Sequence, residues 1–142
     1  MALSHWLLTA ALLCISGYGQ NIITTVAGRE VTYPNGPVPA NSLSFGLSRG
    51  IAVHPVTGEV YFASVNRSLI VKFDPVKKTA AVVAGIGVGA YSGDGSPAAV
   101  AAINAPEGLA FDRAGNLYFS DFRNQAIRKI DTNGIISTVL RN

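Results

Sequence analysis

The chain has 142 residues, 49% of them hydrophobic and 13% charged, which is one domain's worth with enough apolar residues for a real core. So little charge excludes a disordered acidic or basic tail. Eleven Lys and Arg against eight Asp and Glu give a net charge of +3, but no basic run is longer than Lys77-Lys78, so no stripe suited to nucleic acid forms.

At the amino terminus, Trp6 to Ile15 is an apolar run broken only by Thr9 and followed by Ser16-Gly17-Tyr18-Gly19. It is too short for a bilayer, which needs about 20 residues, so no stable membrane span is expected. It suits the apolar region of a secretory signal, with Gly17 and Gly19 at the −3 and −1 positions of a cut before Gln20. No Lys or Arg precedes it, only the amino group and His5. Leu13 stands before Cys14 where lipidation needs a small residue, so a lipoprotein anchor is rejected. The expectation is a signal peptide over residues 1–19 and a secreted or periplasmic product; the alternative is a buried N-terminal helix. Beyond Gly19 there is no cysteine, so the fold does not rely on an oxidising compartment.

From residue 22 onward the sequence repeats itself. An extra strand is expected over 22–27, then a connection over 29–49. A first blade at 50–85 has strands near 50–54, 59–64, 69–74 and 79–84. A connection over 86–107 leads to a second blade at 108–141, with strands near 108–112, 116–121, 126–131 and 135–140. Gly50-Ile51-Ala52-Val53-His54 matches Gly108-Leu109-Ala110-Phe111-Asp112 at an offset of 58. Gly58 to Ser64 matches Gly115 to Asp121, and Ile70 to Asp74 matches Ile127 to Asp131, both at 57. Thr25-Val26-Ala27-Gly28, Val82-Val83-Ala84-Gly85 and Thr138-Val139-Leu140-Arg141 are three versions of one further segment.

The segments are short, rich in Val, Ile, Phe and Tyr, and bounded by turn chemistry, so each reads as a strand. Asp112-Arg113-Ala114-Gly115 and His54-Pro55-Val56-Thr57-Gly58 put glycine where a tight hairpin needs positive φ, and Asp131-Thr132-Asn133-Gly134 ends in Asn-Gly. Asp74-Pro75-Val76-Lys77-Lys78 is the looser counterpart. Ser96-Pro97 before Ala98 to Ala102 predicts a short helical turn. Alternation assigns Ile51, Val53, Val60, Phe62, Leu109, Phe111, Leu117 and Phe119 to the core. The fold class is all-β: two four-stranded antiparallel meanders plus one strand, a partial β-propeller.

Asn104-Ala105-Pro106-Glu107-Gly108-Leu109-Ala110-Phe111-Asp112, with Gly115 to Asp121, Asn124 and Ile127 to Ile130, resembles an NHL repeat. The lead-in Ile22 to Gly28 and the linker Tyr91 to Ala98 resemble exported bacterial proteins with tandem NHL repeats. The first repeat departs from the pattern, with His54 and Ser64 in place of aspartates and Arg49 in place of Glu107. The resemblance implies a propeller of six blades and an interaction role. Propellers have at least four blades, and two leave open edges and faces. The expectation is therefore a truncated product or fragment of a longer parent chain, or a protomer that completes its ring with others.

Several motif matches lack their structural context. Gly85-Ile86-Gly87-Val88-Gly89-Ala90 fits a dinucleotide fingerprint, but Gly93, Gly95 and Pro97 prevent the helix that would face the pyrophosphate. Gly46-Leu47-Ser48-Arg49-Gly50 fits a nucleophile elbow, but a strand follows where a helix is required. Asp94 lacks the spaced ligands of a calcium loop and reads as a turn residue. His54 alone cannot make a zinc site. Asn66-Arg67-Ser68 fits a glycosylation acceptor, relevant only to a eukaryotic secretory route. Lys72 with Asp74 recurs as Lys129 with Asp131, which marks architecture. The non-repeated acids Glu107, Asp112 and Asp121 are the candidate positions for a unique site, each also readable as a turn or cap residue.

Two functions follow. One is a non-catalytic exported module, without cofactor, that binds a protein or glycan through its blade-connecting loops. The other is a metal-dependent enzyme resembling the regucalcin and gluconolactonase propellers. That chemistry needs ligands from several blades converging on an axis. Arg49, at the place equivalent to Glu107, repels a cation, and the binding module is preferred.

Overall fold

Each apolar run meets a turn residue that reverses it, and the result is a pair of antiparallel sheets. The computed structural model describes residues 36–142; the signal segment and the strand expected over 22–27 lie outside these residues. The first sheet has strands β1 (Val38–Pro39), β2 (Ser48–Val53), β3 (Val60–Ser64), β4 (Leu69–Asp74) and β5 (Thr79–Ala84), in the order β1-β5-β4-β3-β2. The second is a four-stranded meander of β6 (Pro106–Phe111), β7 (Leu117–Asp121), β8 (Ala126–Ile130) and β9 (Ile136–Arg141). All eight expected blade strands are present, with ends shifted by a residue or two, as fraying ends allow.

The hairpins form by the expected chemistry. At the β6–β7 turn the Gly115 amide donates to the Asp112 carbonyl at 3.1 Å, with Gly115 at φ +88°. Equivalent bonds close the turns at Gly58 and Gly134. The two outer hairpins differ by one residue, so Lys78 takes the positive φ that Gly134 takes in the second sheet.

The repeat begins earlier than the strands. Pro39 pairs with Thr79, and Pro97 bridges Ile135 in the same place. Each proline leads into a three-residue 3-10 turn, Ala40–Ser42 and Ala98–Val100. Each turn delivers a small apolar plug: Ala40, Leu43 and Phe45 in one repeat, Ala98, Ala101 and Ile103 in the other. So β1 belongs to a stretch that the strand pattern leaves as plain connection.

The main core lies between the sheets. Tyr61, Ile70 and Ala84 of the first pack with Leu117, Phe119, Ile130 and Ile136 of the second around the Ala98–Ala101–Ile103 plug, with Val83, Leu109 and Phe111 at its margin. Full burial of such a side chain contributes about 1.5–3 kcal/mol. A smaller cluster of Leu69, Val71 and Ala80 lies on the opposite face of the first sheet, against Phe45, Phe62 and Val82.

This arrangement corrects the expected core. Leu117 and Phe119 are buried, and Val60, Phe62, Leu109 and Phe111 are half-buried. Ile51 and Val53, however, are 70% and 58% exposed. Alternation places them on the right face of β2, but that face points away from the second sheet.

Candidate functional site

The three singled-out acids do not converge. Glu107, on β6, accepts a hydrogen bond from Arg49 Nη1 at 2.7 Å, an ion pair that ties β6 to β2. The two positions equivalent in sequence are thus partners in space, and Arg49 neutralises the acid that a metal would need. Asp112 lies past the other end of β6, about 17 Å away at the usual rise per strand residue. Its Oδ1 accepts the Asn116 amide and its Oδ2 the Asn116 side chain, both at 2.8 Å. These bonds, the side-chain one foremost, hold its carboxyl below the usual range.

Asp121 closes β7 and is buried. Its Oδ1 accepts the Asn104 amide at 2.7 Å and its Oδ2 the Asn124 side chain at 2.8 Å, with Arg128 Nη1 at 3.6 Å. Each acid therefore holds a local piece of structure. Among the described residues, no three His, Cys, Asp or Glu side chains group as metal ligands would.

Arg128, which the sequence reading passed over, organises the long connection. It is fully buried in β8, on the face it shares with Ala126 and Ile130. Its Nη2 donates to Asp94 Oδ1 at 2.7 Å and to the Ser92 carbonyl at 2.9 Å, and its Nη1 to the Ala102 carbonyl at 3.1 Å. Tyr91 is stacked by both Arg128 and Arg141, with centroid distances of 5.0 and 3.8 Å. The Tyr91 hydroxyl lies 2.8 Å from Thr138 Oγ1. Partial burial pushes the Asp94 carboxyl up, but bonds from Arg128 and Thr138 and the Arg128 charge outweigh it, leaving the carboxyl below its ordinary value. Asp94 is thus the surface end of an ion pair rather than only a turn residue. The available signal was that Arg128 stands where the first repeat has Val71, and Asp121 where it has Ser64.

The connection so anchored carries the exposed apolar residues Ile86 and Val88. It is also pinned at Ala90, whose carbonyl accepts from Asn124 Nδ2 at 2.8 Å. Gly85 to Ala90 form no helix, so the fingerprint match presents no amide cradle to a pyrophosphate. Ser48 begins β2 and His54 follows its other end, which separates them by the length of the strand. Asn66 of the glycosylation match is exposed, and its Oδ1 accepts the Leu47 amide at 2.8 Å.

One small cavity, of about 150 Å³, opens between the sheets beside His54, Tyr61, Phe111, Asp131 and Thr132. His54 Nδ1 accepts the amides of Val56 and Thr57, both at 3.2 Å, which places a neutral ring's proton on Nε2. Phe111 contacts both His54 and Tyr61 edge-on at 4.9 Å. Burial, with the Glu59 charge, pushes the Tyr61 hydroxyl up to about 12, too high for a general base near neutral pH.

Residues 47–142 match the family model of the teneurin NHL domain. Among curated proteins the chain is 39% identical over 102 residues to teneurin-3 of Mus musculus and 37% identical over 103 residues to teneurin-1 of Gallus gallus. In each case 63% of this chain is covered, and the chain spans about 4% of the relative's length. Among solved structures, a structural-genomics protein of unknown function from Bacteroides thetaiotaomicron superposes with a TM-score of 0.55 at 27% identity, covering 63% of this chain and 22% of that one. Two four-stranded meanders repeated in order, with the family match running across both, establish that the chain belongs to the teneurin NHL domain family, β-propeller modules of protein interaction.

Proposed function

We propose that the chain acts as an exported, non-catalytic module that binds a protein or glycan partner through the loops joining its sheets, above all residues 85–91. The observation that carries this reading is the anchoring of that loop. Arg128, Asn124 and Tyr91 tie down the chain beside it, while Ile86 and Val88 remain exposed to solvent. A partner meeting apolar side chains on an already ordered loop loses little binding energy to ordering it. The structural engagement of Glu107, Asp112 and Asp121 favours binding over metal-assisted hydrolysis, which needs converging ligands.

The test is a screen of the purified chain against a glycan array and a panel of extracellular protein domains. The expected result is a ligand whose affinity falls about tenfold or more on Ile86→Ser with Val88→Ser, as for anchors at an interface centre, at unchanged Tm. Calcium-dependent lactone hydrolysis that Glu107→Gln abolishes would overturn the reading in favour of the metal-dependent lactonase.

A further inference from the structure

The pocket between the sheets is walled by three aromatic rings and edged by polar groups that the fold leaves unused. His54 and Tyr61 stand 6.4 Å apart with their planes 33° from parallel, and Phe111 meets both edge-on. Val83, Leu117 and Ile130 form the apolar side, Asp131 and Thr132 the polar side.

His54 is the informative residue, because the other hairpins show what it replaces. At the β4–β5 hairpin Asp74 Oδ1 accepts the amides of Val76 and Lys77 at 2.9 and 3.0 Å. His54 Nδ1 accepts those of Val56 and Thr57 in the same way. An aspartate therefore suffices for such a turn, and Asp112 holds the equivalent place in the second repeat. The imidazole adds a ring and an Nε2 hydrogen that the turn does not use. A Cβ on Gly115 would lie 3.3 Å from Nε2, which sets that atom at the pocket, because Gly115 lines it too. Among the described residues neither His54 Nε2 nor the Tyr61 hydroxyl has a hydrogen-bond partner. Asp131 supplies the opposite chemistry. Its Oδ1 accepts the amides of Asn133 and Ile135, both at 2.9 Å, and these bonds, that of Ile135 foremost, hold the carboxyl below its ordinary value. Ionised at neutral pH, it accepts and never donates.

We infer that the pocket takes the ring of one neutral sugar residue. Such a ring has an apolar C–H face for the aromatic walls and hydroxyls along its edge. Hydroxyls both donate and accept, which suits a site with an imidazole N–H, a phenol and a carboxylate. A purely apolar ligand leaves these groups unpaired. An anion meets the Asp131 charge, and a cation meets the Nε2 hydrogen. Size agrees: the volume, about 150 Å³, matches that of cavities that admit benzene, so one six-membered ring fits with its outer hydroxyls at the mouth. Water is a poor filling, because beside Val83, Leu117 and Ile130 it lacks partners, and displacing such water gains affinity.

The experiment is an amide NMR titration of the purified chain with glucose, galactose and mannose, and with maltose, lactose and mannobiose, which end in them. The expected result is saturable shifts at residues 54–57 and 131–134 with at least one sugar. The Kd should be on the order of 1 mM, as contact with about twelve non-hydrogen atoms allows. Tighter binding of the matching disaccharide identifies a glycan end as the source, and equal or weaker binding the free sugar. Tyr61→Phe removes a hydroxyl without a partner in the chain, and His54→Asn keeps an acceptor for the turn. Each should weaken binding about tenfold, Tyr61→Phe at unchanged Tm. The uronate of the sugar that binds should bind about tenfold more weakly, and Asp131→Asn should narrow that gap. Ile86→Ser with Val88→Ser should change nothing, because the pocket and the loop at 85–91 share no residue; this separates the inference from the loop-binding reading. No shifts with any of the six sugars, shifts with phenol alone, binding that survives both pocket variants, or equal affinity for the uronate would each overturn it.

Discussion

Arg128 and Val71 occupy the same place in two copies of one sheet, and the contrast explains what the second copy gained. Val71 packs among Leu69, Ala80 and Phe62. Arg128 takes that volume and sends its guanidinium to Asp94, Asp121 and two carbonyls of the connection. A buried charge is costly unless it is paired, and removing one partner leaves the other stranded, at about 3–5 kcal/mol. Arg128→Val should therefore destabilise the chain by that order and loosen residues 91–102, read as a lower Tm and faster amide exchange there. Adding Asp121→Ser, which copies Ser64, should recover part of the loss, since the stranded acid is removed. A double-mutant cycle in denaturant measures that coupling. None of this is legible from periodicity. A cation inside an Ile-Arg-Lys-Ile strand reads as surface, and Asp94 is distant in the chain. Only the side-by-side reading of the repeats marks Arg128 and Asp121 together as departures.

Among the elements, the strands are legible because two independent signals agree at three of the hairpins. Alternating apolar residues end where His54, Asp112 or Asp131 and the glycine that follows it begin, and the pattern recurs at nearly constant spacing, whereas the turns at Ser68, Lys78 and Gln125 take their positive φ without glycine. The plugs are not legible, because Leu43 and Phe45 match Ala101 and Ile103 in apolar character but not in identity. Proline followed by alanine, at Pro39-Ala40 and Pro97-Ala98, is the signal that could have extended the repeat. The contact between β2 and β6 makes a sharp prediction about two equivalent glycines. Gly50→Ala forces a methyl group against the Glu107 carbonyl, and such overpacking costs about 1–3 kcal/mol or more. Gly108→Ala makes only an ordinary contact with Ser120 Oγ and should leave the chain's stability within about 0.5 kcal/mol of the parent, as surface changes do. Urea unfolding of the two variants separates them.

For the whole molecule, the misplacement of Ile51 and Val53 is informative. Alternation tells which face of a strand is apolar, but not whether a neighbour covers it. In an array of sheets each face is buried by the next unit, so the end units bear apolar surface that their own sequence patterns correctly mark for burial. Export belongs to this scale as well. Among the described residues no helix is long and apolar enough to cross a membrane, and the expected route is cleavage of the amino-terminal segment near Gly19. Intact-mass measurement of the chain from its native host should find a product starting close to Gln20. A product retaining Met1 or Ala2 would refute the export reading.

The position of the plugs settles what one inheritable unit of this protein is. Each plug precedes the sheet it seals, so a segment duplicated from Gly36 or Gly93 carries a sheet together with its own filling. A segment cut at Gly50 or Gly108, where the matched segments of the two blades begin, would leave each sheet's filling behind on its predecessor. Grafts, deletions and permutations of this chain should therefore be divided just before the Pro-Ala pair, where nature's own copy also keeps sheet and seal in one piece.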